Sequence, residues 1–346
     1  MALVRLTDAI TPDVFDNYVS YESVTVADMF KSGLVQIDPS YAQKLSGGGR
    51  LFQTPVWGDL GRQESSIASD DPAVLISPKK LGSWKHQFVR QIRTEAWSSA
   101  DLVAELAGSD PQKEIGKKVG AYWAMDYDRR TVATLTGVVN RNVASEGSDM
   151  VKDVSALTGT TVIGGQTFNN YQMNPNAIAD AKQTMGDKAT GRLTHFVTHS
   201  VVYNELIKKN LISFLSLSSQ EVANPAGYYL GYKVLVTDNV PATVVGPDVI
   251  YTSYLVGAGV VRFGASPVEM PSEVKREALQ GNGMGVEILV NRQQYAMHFN
   301  GYTWLDASVA ALFPTDAEIM TAGNWQRAGS VERKAIPFVA IKTKNG

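Results

Sequence analysis

From Pro111 the chain runs for almost thirty residues without another proline while Ile115, Val119, Tyr122, Trp123, Met125, Val132, Leu135 and Val139 recur at helical spacing. A helix of that length spans on the order of 40 Å, so whatever else folds here must be laid along it. Asp110-Pro111 supplies a capping acid and a first-turn proline. On the other side Glu114, Lys117, Lys118, Asp128, Arg129 and Arg130 mix their signs, which predicts a solvated or subunit-facing surface.

Ahead of this spine, Leu51 to Leu60 and Leu81 to Arg93 read as strands joined through a polar, turn-rich tip with Asp70, Asp71, Pro72 and Pro78, the pattern of a long hairpin. In the returning strand Trp84, His86, Phe88, Arg90 and Ile92 alternate with Lys85, Gln87, Val89, Gln91 and Arg93. A two-stranded ribbon is marginal alone in water, so one carrying Trp57, Trp84 and Phe88 either meets another subunit or folds back on its own domain. Earlier still, Thr11-Pro12 opens a short helix. Asp38-Pro39 and Ser46-Gly47-Gly48-Gly49 predict an extended, flexible arm from Ile37 to Phe52.

Downstream, Thr158 to Gly165 reads as a Gly/Thr-rich loop and Asn174-Pro175 caps a helix through Met185. Leu193 to Thr198 is a strand leading into a helix from Ser200 to Lys209. Tyr228 to Thr237 and Val249 to Val256 are β-rich, and Val286 to Val290 reads as a strand paired with Tyr295 to Phe299. Asn300-Gly301 marks a tight turn, Thr315 to Glu318 a capping box, and Ile336 to Ile341 a last strand. The class is α+β.

Composition narrows the function. With 32 basic and 34 acidic side chains the formal charge is -2, which leaves no basic excess for tight nucleic-acid binding. There is no cysteine, so disulfides, thiolate ligands and Cys nucleophiles are excluded together. His195 and His199 are four apart, but Phe196 stands where a zinc protease needs Glu, so no metal is expected. Gly281 to Gly285 lacks dinucleotide-loop spacing and precedes a strand, which makes it a hairpin turn, and Gly47-Gly48-Gly49-Arg50 is no phosphate loop. Without a Gly-x-Ser-x-Gly no triad is fixed, and no catalytic residue or cofactor is expected. The most apolar stretch, Val249 to Val261, is too short to span a bilayer as a helix, and the N-terminus lacks a signal peptide.

The order of arm, projecting hairpin, long helix, mixed α/β region and returning strands resembles the coat-protein fold of phage Hong Kong 97 and its tailed-phage relatives. The run from Leu230 to Pro241, an apolar strand ended by Thr237-Asp238-Asn239-Val240-Pro241, is similar to a segment recurrent in those shells. Leu193 to Lys209 and Thr315 to Trp325 are similar as well. The resemblance implies an N-terminal arm (1–54), an extended loop (55–93), a peripheral domain with the spine (94–144), an axial domain (145–264), peripheral return strands (265–300) and a C-terminal segment (301–346). It implies a major capsid protein, made in the host bacterial cytoplasm and placed in the virion. There it would assemble with itself as hexamers and pentamers into an icosahedral shell around double-stranded DNA, helped by a separate scaffolding protein, a portal and a decoration protein. No membrane partner is implied.

The extended loop is then the expected subunit interface, with Trp57, Arg62, Glu64, Asp70, Asp71, Lys79, Lys80, Trp84, Lys85, Phe88 and Arg90 as candidates. The basic cluster Lys79, Lys80, Lys85, His86, Arg90 and Arg93 could bind single-stranded nucleic acid through charge and stacking, but an acidic tip on another subunit is the preferred partner. Two other readings stay open: an encapsulin-like compartment with the same fold, and an α+β enzyme with an unrecognised site.

Overall fold

Residues 28–57, 64–79, 81–102, 111–189, 191–214, 227–329 and 331–344 are described by a computed structural model. The Thr11-Pro12 helix, the Asp110 cap, Arg62 and Lys80 lie outside those residues.

The spine is a helix, Pro111–Ser145, of 35 residues. It lies against a five-stranded sheet whose central member is a single strand, Val286–Phe299. The expected pair of strands, Val286 to Val290 and Tyr295 to Phe299, is thus one element. Its polar middle looks like a turn in sequence, yet these side chains are buried with partners. Trp123 Nε1 donates to Asn291 Oδ1 at 2.7 Å, and Asn291 Nδ2 donates to Ser272 Oγ at 2.7 Å. Gln294 Nε2 donates to the Leu45 carbonyl at 3.1 Å. Burying such groups is tolerable only because each is hydrogen-bonded.

One edge of the long strand pairs antiparallel with Gln91–Ala100, and the other takes Ser272–Glu277 and then Val261–Ala265. Val35–Ile37 adds in parallel to Val261–Ala265. On the spine, Val119, Trp123, Val132, Leu135 and Val139 are buried as the periodicity predicts. Met125 departs from it, being 65% exposed. Arg130 departs the other way. It is 3% exposed and pairs with Asp126 and Asp316, so the charged side is not wholly solvated.

An eight-stranded sheet carries the second core. Its order is Val151–Asp153, Phe338–Lys344, Asp248–Val256, His195–Thr198, Tyr232–Val236, Gly227–Tyr229 and Ile212–Phe214, with Ala242–Val245 also on Asp248–Val256. The helices Pro175–Gln183 and Ser200–Lys208 pack on it through Ile178, Ala181, Val202 and Leu206. The strand Phe338–Lys344, the last among the described residues, therefore sits inside a sheet built mainly from residues far upstream. The β-rich run Tyr228 to Thr237 is two strands folded at Leu230-Gly231, both with positive φ. Thr158 to Gly165 is likewise half of a hairpin, Thr160–Ile163 against Gln166–Asn169, which turns at Gly164-Gly165 with φ of 61° and 82°.

The arm is where expectation and structure part most. Between Ile37 and Phe52 the backbone is not extended, because Pro39–Leu45 is a helix whose N-cap Asp38 accepts from the Ser40 amide at 3.0 Å. Asp38-Pro39 punctuates a helix start, a cap followed by a first-turn proline, and not a loop. Tyr41 and Leu45 on this helix, with Met29, Phe30, Leu34 and Val35 before it, are buried in the protein's own cores.

Candidate assembly surface

The ribbon starts from a period-two pattern. Leu51–Trp57 pairs antiparallel with Ser83–Val89, setting Phe52 opposite Phe88, Thr54 opposite His86 and Val56 opposite Trp84 on one face. That face turns inward, and Leu51, Gln53, Pro55 and Trp57 turn outward. Proline is accommodated in such a strand because each strand of a two-stranded ribbon leaves one side unpaired.

At its base the ribbon is clamped to the body. Phe88 is fully buried and stacks on Tyr41 with ring centroids 4.2 Å apart. Lys44 Nζ donates to the Gln53 carbonyl at 2.9 Å and to Thr54 Oγ1 at 2.7 Å. Arg90 donates to the Leu45 carbonyl at 2.8 Å and sits 5.2 Å from the Phe52 ring. Gln87 is tied to Thr303 and Trp304. The returning strand does not run on to Arg93: it ends at Val89, and Gln91–Ala100 is a separate strand in the five-stranded sheet. Arg90 is the joint between two sheets, and Arg93 donates to the Pro314 carbonyl.

His86 lies beside the buried His298, ring centroids 5.7 Å apart. Burial, and then the nearby Arg262, push His86 down to about 4, and burial takes His298 down to about 3. Both rings are therefore neutral at physiological pH.

Beyond the base the ribbon is bare. All described residues from Glu64 to Lys79 are exposed. The tip is less polar than its turn residues suggest: Ile67 is 90% exposed, Leu75 85% and Ile76 76%, and Val74 is exposed beside them. Trp57 adds an indole that is 67% exposed. Lone surface apolars are ordinary, but a contiguous run of aliphatics on a projection is not.

Of the candidate interface residues, Trp57, Glu64, Asp70, Asp71, Lys79 and Lys85 are exposed, and Trp84 is half-buried against Gly329. Phe88 must be corrected, since it is enclosed by its own subunit and has no surface to offer a neighbour. Arg90 belongs to the clamp. The basic cluster is dispersed, with Lys79 at the tip, Lys85 on the outer face, His86 buried and both arginines bonded to carbonyls. Sequence reasoning missed Tyr41, Lys44 and Leu45 as the clamp, although Asp38-Pro39 carried the signal. It also passed over Val74-Leu75-Ile76, which is visible as an apolar run inside a polar tip.

A cleft of about 870 Å³ opens between the spine and Lys233 to Thr237. Two of its carboxylates are already committed. Asp126 pairs with Arg129 and Arg130, and Asp128 accepts from the Asp28 and Met29 amides that start the helix Asp28–Ser32. Burial raises Asp128 to about 6. His195 is a structural residue, bonded to the Ser32 carbonyl and Thr194, and His199 caps Ser200–Lys208. Among the described residues no group of three or more His, Asp or Glu side chains is placed to hold a metal ion. No described helix is long and apolar enough to cross a membrane.

Over residues 107–336 the sequence matches the family described as Gp13-like, major capsid protein 13-like. It is 31% identical to the major capsid protein of Bacillus phage SPP1 over 347 residues, covering 99% of this chain and 98% of that protein. In three dimensions it is similar to the capsid of Ralstonia phage GP4, with a TM-score of 0.53 and 9% identity over 78% of this chain and 84% of that one. It is equally similar to the cyanophage Pam1 capsid, with a TM-score of 0.53 and 11% identity over 89% and 88% of the two proteins.

Proposed function

This chain belongs to the major capsid protein 13-like family and has the Hong Kong 97-like capsid fold, and from that premise we propose that its ribbon is the element with which one subunit clasps the next. The protein is a shell subunit of a tailed-phage virion and associates with copies of itself. In this reading those copies gather as hexamers and pentamers that close an icosahedral shell over double-stranded DNA. A scaffolding protein, a portal and a decoration protein are the expected partners.

One observation carries the ribbon's role: its base is built into the body while its outer face and tip leave Trp57, Ile67, Leu75 and Ile76 in solvent. Leaving that much apolar surface uncovered is unfavourable by roughly 25 cal/mol per Å², and a neighbouring copy relieves it. Glu64, Asp70, Asp71, Lys79, Lys85 and Trp84 would line the same contact. The phage coat protein matched along 99% of the sequence favours a viral shell over a cargo compartment or an enzyme.

Trp57→Ala tests the ribbon. Sizing chromatography and negative-stain imaging should show failed or aberrant assembly, while the melting temperature of the isolated subunit stays close to that of the parent. Equal damage to assembly and to subunit stability would assign Trp57 an ordinary packing role.

A further inference from the structure

We infer that Asn282 is a site of spontaneous deamidation, which places a new carboxylate at the end of the hairpin formed by Ser272–Glu277 and the long strand. The inference stands apart from the assembly reading.

The sequence has three Asn-Gly pairs, at 282, 300 and 345, of which the last lies outside the described residues. In the reaction the Gly283 backbone nitrogen attacks the carboxamide carbon of Asn282. A C–N bond forms, the carboxamide bond to NH2 breaks, and ammonia leaves carrying the proton from the Gly283 amide. Water then opens the resulting five-membered imide at either carbonyl, giving aspartate or its β-linked isomer. One water is consumed and one ammonia released, with no oxidant or reductant.

The step needs an unshielded nitrogen and a peptide free to swing over the side chain, and Asn282 has both. Gly283 has no Cβ, and nothing stands within 4 Å of where one would be. Residues 278 to 284 are all exposed. The turn is held by Gly285 N to the Gln280 carbonyl at 3.0 Å and Met284 N to the Gly281 carbonyl at 3.4 Å, and neither bond uses the Gly283 amide. Asn282 itself has a φ of 57°, and the glycines on either side of it, 281 and 283, meet nothing within 4 Å beyond the turn's own atoms, so the backbone there can change conformation at little steric cost.

Asn300-Gly301 has the same two residues in the opposite circumstances. Asn300 N donates to the Val260 carbonyl at 2.8 Å, and the Gly301 carbonyl accepts from Ala328 N at 2.9 Å. Gly301 is buried, with the Ile336 side chain 3.1 Å from its would-be Cβ. This peptide is clamped on both sides and lacks the freedom to reach the imide geometry.

The test is peptide mapping by mass spectrometry of the full-length protein, incubated folded in warm, mildly alkaline buffer and, in parallel, unfolded in urea. In the folded sample the Asn282 peptide should gain the mass of an Asn-to-Asp change many-fold faster than the Asn300 peptide, and in urea the two rates should converge. An intact Asn282 peptide, or equal rates at both pairs in the folded protein, would overturn the assignment. Isoelectric focusing supplies a second reading, because each event makes the formal charge of -2 one unit more negative. That acidic species should accumulate markedly more slowly in Asn282→Gln, and its undiminished accumulation there would equally overturn it.

Discussion

The spine and the ribbon use the same kinds of side chain to opposite ends. Along the spine, Trp123 is buried with its indole bonded to Asn291, and Trp325 lies across Gly137 so closely that a Cβ there would fall 2.5 Å from its Nε1. On the ribbon, Trp57 is mostly in solvent and Leu75 and Ile76 have almost no cover. The division runs through the ribbon itself, since Phe88, further along the same strand pair, is as buried as anything on the spine. The kind of residue therefore does not decide its role. Whether the subunit supplies its own neighbour at that point does, and where it does not, the proposed assembly gives that part to a second copy.

The sharpest way to break this comparison is to remove Phe88. Phe88→Ala should destabilise the isolated subunit by about 4 kcal/mol, the range for deleting a buried aromatic ring, read as a lowered urea midpoint. A cost near zero would move the base of the ribbon into the class of its tip. Next is Gly137→Ala on the spine, where the added methyl would overlap the Ile319 carbonyl at 2.2 Å. Forcing that space open should cost about 3 kcal/mol, visible in the same denaturation experiment.

The ribbon base and the spine should also answer pH with opposite signs. His86, displaced from 6.5 to about 4, binds its proton more weakly folded than unfolded, so stability falls as pH drops through that interval. Asp128, displaced from 3.8 to about 6, binds its proton more tightly folded, so stability falls as pH rises through its interval. His86→Leu should flatten the acid side of the melting-temperature profile, and Asp128→Asn should remove the opposing slope. The smallest stability effect belongs to the tip. Leu75→Ser should change subunit stability by less than about 0.5 kcal/mol yet slow or misdirect assembly, as followed by light scattering.

Much of the outline was legible in sequence because it rests on local rules. The 3.6-residue period from Ile115 to Val139 determined the spine. Asn174-Pro175 and the Thr315-to-Glu318 capping box determined two helix starts, and both caps form as expected. The alternation across Trp84, His86 and Phe88 put those three side chains on one face of the ribbon, but it left open which face turns inward, and the fold decided that. The order of these elements was enough to point to a phage coat protein.

What only the tertiary structure decided depends on partners far away in sequence. Val286 to Phe299 is one strand because Trp123, Ser272 and the Leu45 carbonyl, all remote from it, meet the polar groups in its middle. Arg130 is internal because Asp316 comes back to meet it, and the arm is folded because Phe88 and Lys44 bring the ribbon onto its helix. Local periodicity records which side of an element prefers burial. It holds no information about which distant segment arrives to satisfy a buried polar group, and that is settled only when the whole fold closes on itself.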